Sequence, residues 1–363
     1  MRMTNRVLHV FRAMNVGGAE TMIMNVYRAM DRQTIQFDFL VDKGESGFYD
    51  QEILDLGGRI FQLPSPRMSK ILSYRKELLM LLKNNQFSAI HSHPHSFSGI
   101  ILEAAEKAKI PVRIAHSHTT SDGRKATLVR QFYQSFMKRL IHKNATHLFS
   151  CSLAAGESLF GRDAETIVLA NSINLRDYER ISVHPKSDTM VIGHVGRFDS
   201  VKNHPFFLEV FSHLRKKYPQ ASAVLVGDGP EKTNIQAWLA NNNLQDSVKL
   251  LGIRSDVPTI ISQFDLFLFP SIYEGLGNVV IEAQAAGVPC LVSDAVPKEI
   301  NLAMNLVNFK SLQDSAESWA EEAEKIINKN PRPSWDERKL KLKRFGYDVA
   351  DNVKYLENVY RGY

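Results

Sequence analysis

Glu274 and Glu282 flank a glycine-rich segment, Glu274-Gly275-Leu276-Gly277-Asn278, that follows the apolar run 266–270 and leads into a helix. The first turn of a helix has free N–H groups and partial positive charge, so phosphate settles there. Gly275 and Gly277 let a ligand approach the backbone closely. Glu282, further along the helix, is placed to accept from both hydroxyls of a ribose diol, and Glu274, on the loop, from the hydroxyls of a sugar. A second group of candidates lies upstream in Gly196-Arg197-Phe198-Asp199-Ser200-Val201-Lys202-Asn203, just past an apolar strand. One guanidinium and one ammonium on a single loop neutralise a diphosphate, the first through planar two-point contacts and the second as a point charge. Gly17 and Gly18, before the segment Ala19-Glu20, form a third candidate, a turn whose N–H groups open toward phosphate. That turn lacks G-x-G-x-x-G, so the nicotinamide dinucleotide fingerprint is missing. Arg254, in Leu251-Gly252-Ile253-Arg254, sits where a base can be held by backbone contacts and side-chain stacking.

Histidines also cluster, as His91-x-His93-x-His95 and His116-x-His118. Alternation puts each set on one face of a strand. A catalytic metal site needs converging ligands from other elements. No carboxylate adjoins either run, and the chain has no D-x-D pair of the kind that holds a divalent ion on a nucleotide-sugar. These histidines are therefore read as strand-end groups near a ligand cleft, with no bound metal. Leu225-Val226-Gly227-Asp228-Gly229-Pro230 is read as a structural strand-to-helix turn.

The elements that must position these groups alternate. Apolar runs at 7–11, 36–41, 88–92, 111–116 and 146–151 are interleaved with helix-period segments at 19–30, 47–56, 71–84, 97–108 and 124–143. A second series of strands follows at 190–195, 223–226, 248–251, 266–269 and 289–292. This is βαβ winding around parallel sheets. The fold class is α/β, with two Rossmann-like doubly wound domains. The first spans 1–175 and the second 189–340. A terminal helix at 341–363 is expected to return to the first domain. The polar stretch 172–188 reads as a hinge, and the ligand is expected in a cleft at the strand C-terminal ends.

Composition narrows the class further. The chain has 363 residues, enough for two domains, and 20 Phe for their cores. No apolar run is long enough to span a bilayer, and the N-terminus enters a strand with no long apolar signal core. The two cysteines, Cys151 and Cys290, lie far apart and outside any C-x-x-C, which fits a reducing cytoplasm. The net charge of +6 suits an anionic ligand or membrane surface. Arg124, Lys125, Arg130, Lys138, Arg139 and Lys143 alternate with Leu128, Val129, Phe132, Tyr133, Phe136, Leu140 and Ile141. The favoured reading is a helix with an apolar core face and a basic solvated face. Docking on an anionic membrane is the alternative. Nothing points to nucleic acid.

Together these motifs resemble family 4 glycosyltransferases of the GT-B fold, particularly bacterial exopolysaccharide and capsule types. The resemblance spans essentially the whole chain. It is carried by Gly17-Gly18-Ala19-Glu20, the Arg197/Lys202 pair, Val226–Pro230, and Glu274-x7-Glu282 followed by Ala-Gln-Ala-Ala-Gly287-Val-Pro289. It implies anomer-retaining, metal-independent transfer of a sugar from a nucleotide-sugar, expected to be UDP-linked, to a glycan or lipid-linked glycan at the inner face of the membrane. Arg197 and Lys202 would hold the diphosphate, Glu282 the ribose and Glu274 the sugar. His118 would face the donor sugar or reacting centre, and Gly17–Gly18 would border the diphosphate and acceptor. The segment Asn171-Ser172-Ile173-Asn174 departs from the Asn-Gly-Ile-Asp common in relatives, and the His-rich runs exceed the family pattern. Two other readings compete: a non-catalytic nucleotide-sugar-binding subunit and a nucleotide-sugar epimerase of the same fold. A metal-dependent hydrolase built on the histidines is a third.

Overall fold

A computed structural model describes residues 5–44, 46–66, 68–119, 127–179, 189–329 and 332–362. Arg124, Lys125 and residues 180–188 of the expected hinge lie outside these. The chain divides into two compact units: unit 1 is Met1–Ile173 with Gly346–Tyr363, and unit 2 is Asn174–Phe345.

Unit 1 is built on seven parallel strands: β1 (Asn5–Val10), β2 (Ile35–Asp42), β3 (Ile60–Leu63), β4 (Ala89–Ser92), β5 (Val112–Ser117), β6 (His147–Ser150) and β7 (Ile167–Val168), in spatial order 3-2-1-4-5-6-7. Unit 2 has six: β8 (Val191–Val195), β9 (Ser222–Val226), β10 (Val248–Leu250), β11 (Leu266–Phe269), β12 (Cys290–Ser293) and β13 (Val307–Lys310), in order 10-9-8-11-12-13. Both orders reverse direction beside their first strand, as in Rossmann-like sheets. The reversal leaves a crevice at the strand C-terminal ends, between β1 and β4 in unit 1 and between β8 and β11 in unit 2. The expected two Rossmann-like sheets are therefore present.

The central strands are almost continuously apolar because helices cover both faces of each sheet. Val7, Ile35, Phe37, Phe39 and Ile114 are buried on one side of the unit 1 sheet, and Leu8, Leu40, Ile90 and Ala115 on the other. In unit 2, Ile192, Ala223, Leu225, Leu266 and Leu268 pack against Phe207, Phe211 and Trp319. The helix Val349–Tyr360 lays Val349, Val353, Leu356, Val359 and Tyr360 into the unit 1 core.

Two expectations need correction. The stretch 172–188 is not irregular throughout. Ile173 forms a parallel bridge with Asp348, and Arg176–Glu179 is a helical turn. The basic helix, observed as Leu128–Asn144, does not use its apolar residues as a core face. Met137 and Ile141 are buried, whereas Leu128, Val129, Phe132 and Phe136 are exposed, Val129 and Phe132 at 80% and 78%. Among the described residues, the fully buried side chains of this helix all lie in its C-terminal half.

Candidate active site

In unit 2, the crevice between β8 and β11 brings two of the main candidates, Lys202 and Glu274, into contact. Beyond β8 the chain makes a tight loop. Gly196 N–H donates to the Val226 carbonyl at 2.9 Å, and Phe198 N–H to the Asp228 carbonyl at 3.0 Å. The turn after β9 supports that loop. Gly227 has φ +140, and a Cβ there would lie 2.0 Å from the Gly196 carbonyl oxygen, so only glycine fits. Gly227 N–H in turn donates to the Gly252 carbonyl at 2.9 Å, tying in the loop that carries Arg254. The structural role read for 225–230 is thus specific: it holds the Arg197 loop in place. The Asp199 side chain caps the turn Ser200–Lys202 by accepting from Lys202 N–H.

Lys202 Nζ then reaches Glu274 Oε1 at 2.5 Å. The side chains of this pair are only 17% and 12% exposed. The ammonium also lies 4.9 Å from the centre of the Phe269 ring, a cation–π position. Residues 72 apart in sequence therefore meet directly at the mouth of the crevice. Arg197 is exposed on the same loop.

Glu274-Gly275-Leu276-Gly277 runs into the helix Asn278–Ala285, with Gly277 as its N-cap at φ +91. Inside that helix Gln284 is buried. Its side chain donates to the Ile300 carbonyl at 2.7 Å and accepts from Leu302 N–H, fixing the helix against the chain beyond β12. The Arg338 guanidinium donates to the Ala285 carbonyl at the C-terminal end, where a cation complements the helix dipole. Glu282 is half-buried on this helix, and desolvation pushes its carboxyl up to about 7. Ser271 Oγ and Asn278 Oδ1 are buried polar atoms with no partner among the described residues. They mark where a ligand's polar groups would be welcome, because an unpaired buried polar atom costs stability. Asn278 belongs to the glycine-rich segment nominated from sequence, whereas Ser271 was not singled out, since a lone Ser carries no pattern. Arg254 is exposed and paired with Asp256 at 2.8 and 2.7 Å.

Beneath Lys202, His194 and His204 pack edge to face, 4.9 Å between ring centres. Burial holds His194 well below the usual imidazole range and His204 at about 4, so neither puts a competing positive charge next to the ammonium.

In unit 1, Gly17 is the N-cap of the helix Gly18–Ala29, and Glu20 lies in its first turn with its carboxyl raised by burial. His118 follows β5 and is half-buried. The histidines are not simply strand-end groups. His91, His93 and His116 are buried, and His9 of β1 joins them, in register with His91. His9 Nδ1 meets His93 Nε2 at 3.2 Å, His93 Nδ1 meets His118 Nε2 at 2.8 Å, and His91 Nε2 meets His116 Nδ1 at 3.0 Å. Tyr360 OH closes the chain at His91 Nδ1, 2.8 Å away. Burial lowers every one of these imidazoles, His9 and His118 to about 3.

A cation–carboxylate pair at the crevice of a Rossmann-like sheet suits a ligand that carries both phosphate and hydroxyl groups. Residues 16–176 match the profile of Glycosyltransferase Family 4 and residues 176–347 that of Glycosyl transferases group 1. The chain belongs to the glycosyltransferases of GT-B architecture. It is 39% identical to the putative glycosyltransferase EpsF of Bacillus subtilis, over 98% of this chain and 96% of that protein. It is 24% identical to the capsular polysaccharide biosynthesis glycosyltransferase CapH of Staphylococcus aureus, over 98% of each. The crystal structure of Anabaena HepE with UDP and glucose matches at TM-score 0.75 and 17% identity, covering 98% of this chain and 99% of that one. Among the described residues no helix is long and apolar enough to cross a membrane.

Proposed function

We propose that this glycosyltransferase is a retaining, metal-independent enzyme of family 4. It transfers a sugar from a UDP-sugar to a glycan or lipid-linked glycan in surface polysaccharide synthesis. The observation that carries the reading is the Lys202–Glu274 contact at the crevice of unit 2. It joins a cation suited to a leaving diphosphate with a carboxylate suited to sugar hydroxyls. As the glycosidic bond breaks, negative charge gathers on the departing nucleotide. Lys202, Arg197 and the helix start at Gly275–Asn278 are positioned as preorganised positive groups for that charge, with no divalent ion required. Glu282 reads the ribose diol, and Arg254 borders the base. His118 and the Gly17–Gly18 turn keep the roles their resemblance implies, toward the donor sugar and toward diphosphate and acceptor. CapH, by its name, supports the pathway class, and the UDP and glucose in HepE support the donor.

The exposed apolar face of the helix Leu128–Asn144, with Lys138, Arg139 and Lys143 beside it, supports peripheral contact with an anionic membrane at its inner face. A lipid-linked acceptor would be met there.

The test is nucleotide release. The EDTA-treated protein is incubated with UDP-glucose, UDP-galactose and UDP-N-acetylglucosamine, with and without a lipid-linked acceptor, and the anomer of the product is read by NMR. Acceptor-dependent UDP release with a retained anomer is expected, and Glu274→Ala should abolish it. Turnover unchanged in Glu274→Ala sinks the assignment. Conversion of the donor without acceptor favours the epimerase, and tight donor binding with no release favours a binding subunit.

A further inference from the structure

The unit 1 histidines form more than a packed network. Two groups bring one nitrogen from each of three rings within 4.8 Å of one another: His9, His91 and His93, and His93, His116 and His118. The first is poorly suited to a metal, because all three rings are buried and both nitrogens of His91 are already engaged, by Tyr360 and His116. The second differs in two respects. His116 Nε2 and His118 Nδ1 are buried nitrogens with no partner among the described residues. His118, just beyond the end of β5, is half-buried where His93 and His116 are buried.

We propose that His93, His116 and His118 form a three-imidazole site for a borderline divalent transition ion of the Zn2+ class. Three nitrogen donors with no carboxylate among them select such an ion over Mg2+ or Ca2+, which demand oxygen. The outer partners are in place. His93 has His9 behind it at 3.2 Å, and His116 has His91 at 3.0 Å, itself backed by Tyr360 at 2.8 Å. Such partners orient metal-binding imidazoles and fix which nitrogen faces the ion. Zn–N bonds of about 2.0–2.1 Å set neighbouring ligand nitrogens roughly 3.3 Å apart in a tetrahedron. His93 Nδ1 and His118 Nε2, at 2.8 Å, need only part slightly to reach that spacing. The fourth position is left to water. The ion is not a participant in transfer. By holding the His118 ring it acts as an inhibitor, a consequence that rests on the role proposed for His118.

The experiment titrates chelator-stripped protein with ZnCl2 by calorimetry in the absence of donor, with MgCl2 as comparison and CoCl2 absorption as a report of four-coordination. One saturable equivalent of zinc is expected, with no Mg2+ signal. His116→Asn and His118→Gln should each weaken binding by at least about tenfold. Far-UV CD melts show whether each variant is folded, and His118→Gln, outside the strand, serves if His116→Asn is not. UDP release should fall at least tenfold as zinc saturates the wild type. Absence of saturable zinc, or wild-type binding in both variants, overturns the site. Zinc binding without loss of turnover overturns the inhibitory role. Because binding is read without donor, an inactive protein that still takes up zinc counts against the transfer reading alone.

Discussion

Removing Lys202 tests the centre of the proposed site through stability as well as rate. Its ammonium and the Glu274 carboxylate are 2.5 Å apart and largely shielded from water. Deleting one member of a buried pair leaves the other charged and unpaired, at a cost of about 3–5 kcal/mol in full burial. With the residual exposure here, about 2–3 kcal/mol is reasonable for Lys202→Met or Glu274→Gln alone. In the double variant neither charge is stranded, so the loss should be about 1 kcal/mol rather than the sum of about 4–6, a coupling of roughly 3–5 kcal/mol. For a unit of this size each kcal/mol moves Tm by about 2–4 °C, so each single variant should melt roughly 4–12 °C lower. The molecule supplies its own selective probe: Trp238, Trp319 and Trp335 are the only tryptophans and all lie in unit 2. Urea denaturation followed by tryptophan fluorescence therefore reports this unit and not the other. In the transfer assay Lys202→Met should lose one to two decades in kcat/KM, the worth of one charge-assisted contact of about 1.5–3 kcal/mol. Additive single and double variants, with a coupling inside experimental error, would refute the direct pairing and with it the electrostatic argument.

Glu282 and His204 pull unit 2 in opposite directions as pH falls. His204 is at about 4, below its unfolded value, so its stability contribution is complete above pH 6.5 and declines on acidification. Between pH 7 and 5 it should remove about 2 kcal/mol. Glu282, raised to about 7, contributes stability that is complete below its unfolded value and lost as pH rises through 7, so acidification returns a similar amount over that window. Glu282→Gln should therefore lose stability on acidification more steeply than wild type in the same urea titrations. Parallel profiles would contradict the assigned burial. Because a diol is read by the ionised carboxylate, UDP affinity should weaken as pH falls through 7 in wild type and less so in Glu282→Gln, by calorimetry. Gly277→Ala, forced to φ +91 with Val296 3.3 Å from the new methyl, should cost about 1–2 kcal/mol and lower turnover. Phe132→Glu with Phe136→Glu should sharply reduce co-sedimentation with anionic vesicles, and salt should weaken wild-type binding. Equal sedimentation of the two proteins would remove the membrane contact.

The sequence made the central strands readable because they are long, apolar and bounded by helix-period segments. It did not reveal β3, β7 and β13. These are edge or near-edge strands of two to four residues, with few fully buried positions, and periodicity has little to act on there. Arg197, Lys202, Glu274 and Glu282 could be nominated from residue type and position after a strand. That Lys202 touches Glu274 could not, since the contact depends on the order of β8 and β11 in the sheet. His9 was hidden for a similar reason: one histidine in an alternating strand acquires meaning only when β4 is laid beside β1. The helix Leu128–Asn144 shows the opposite failure. Its apolar residues are plain in the sequence, but a pattern does not say whether anything covers them.

The topology of unit 1 bears on how the protein is made. The segment Gly346–Tyr363 belongs to it, yet a ribosome reaches that segment only after all of unit 2. Until then the nascent first sheet lacks the helix that buries Val353, Leu356 and Tyr360 against it, and His91 lacks its phenol partner. The contiguous later unit can thus close before the earlier one is complete, reversing the usual N-terminal-first order of folding, and the waiting surface is the kind that chaperones bind.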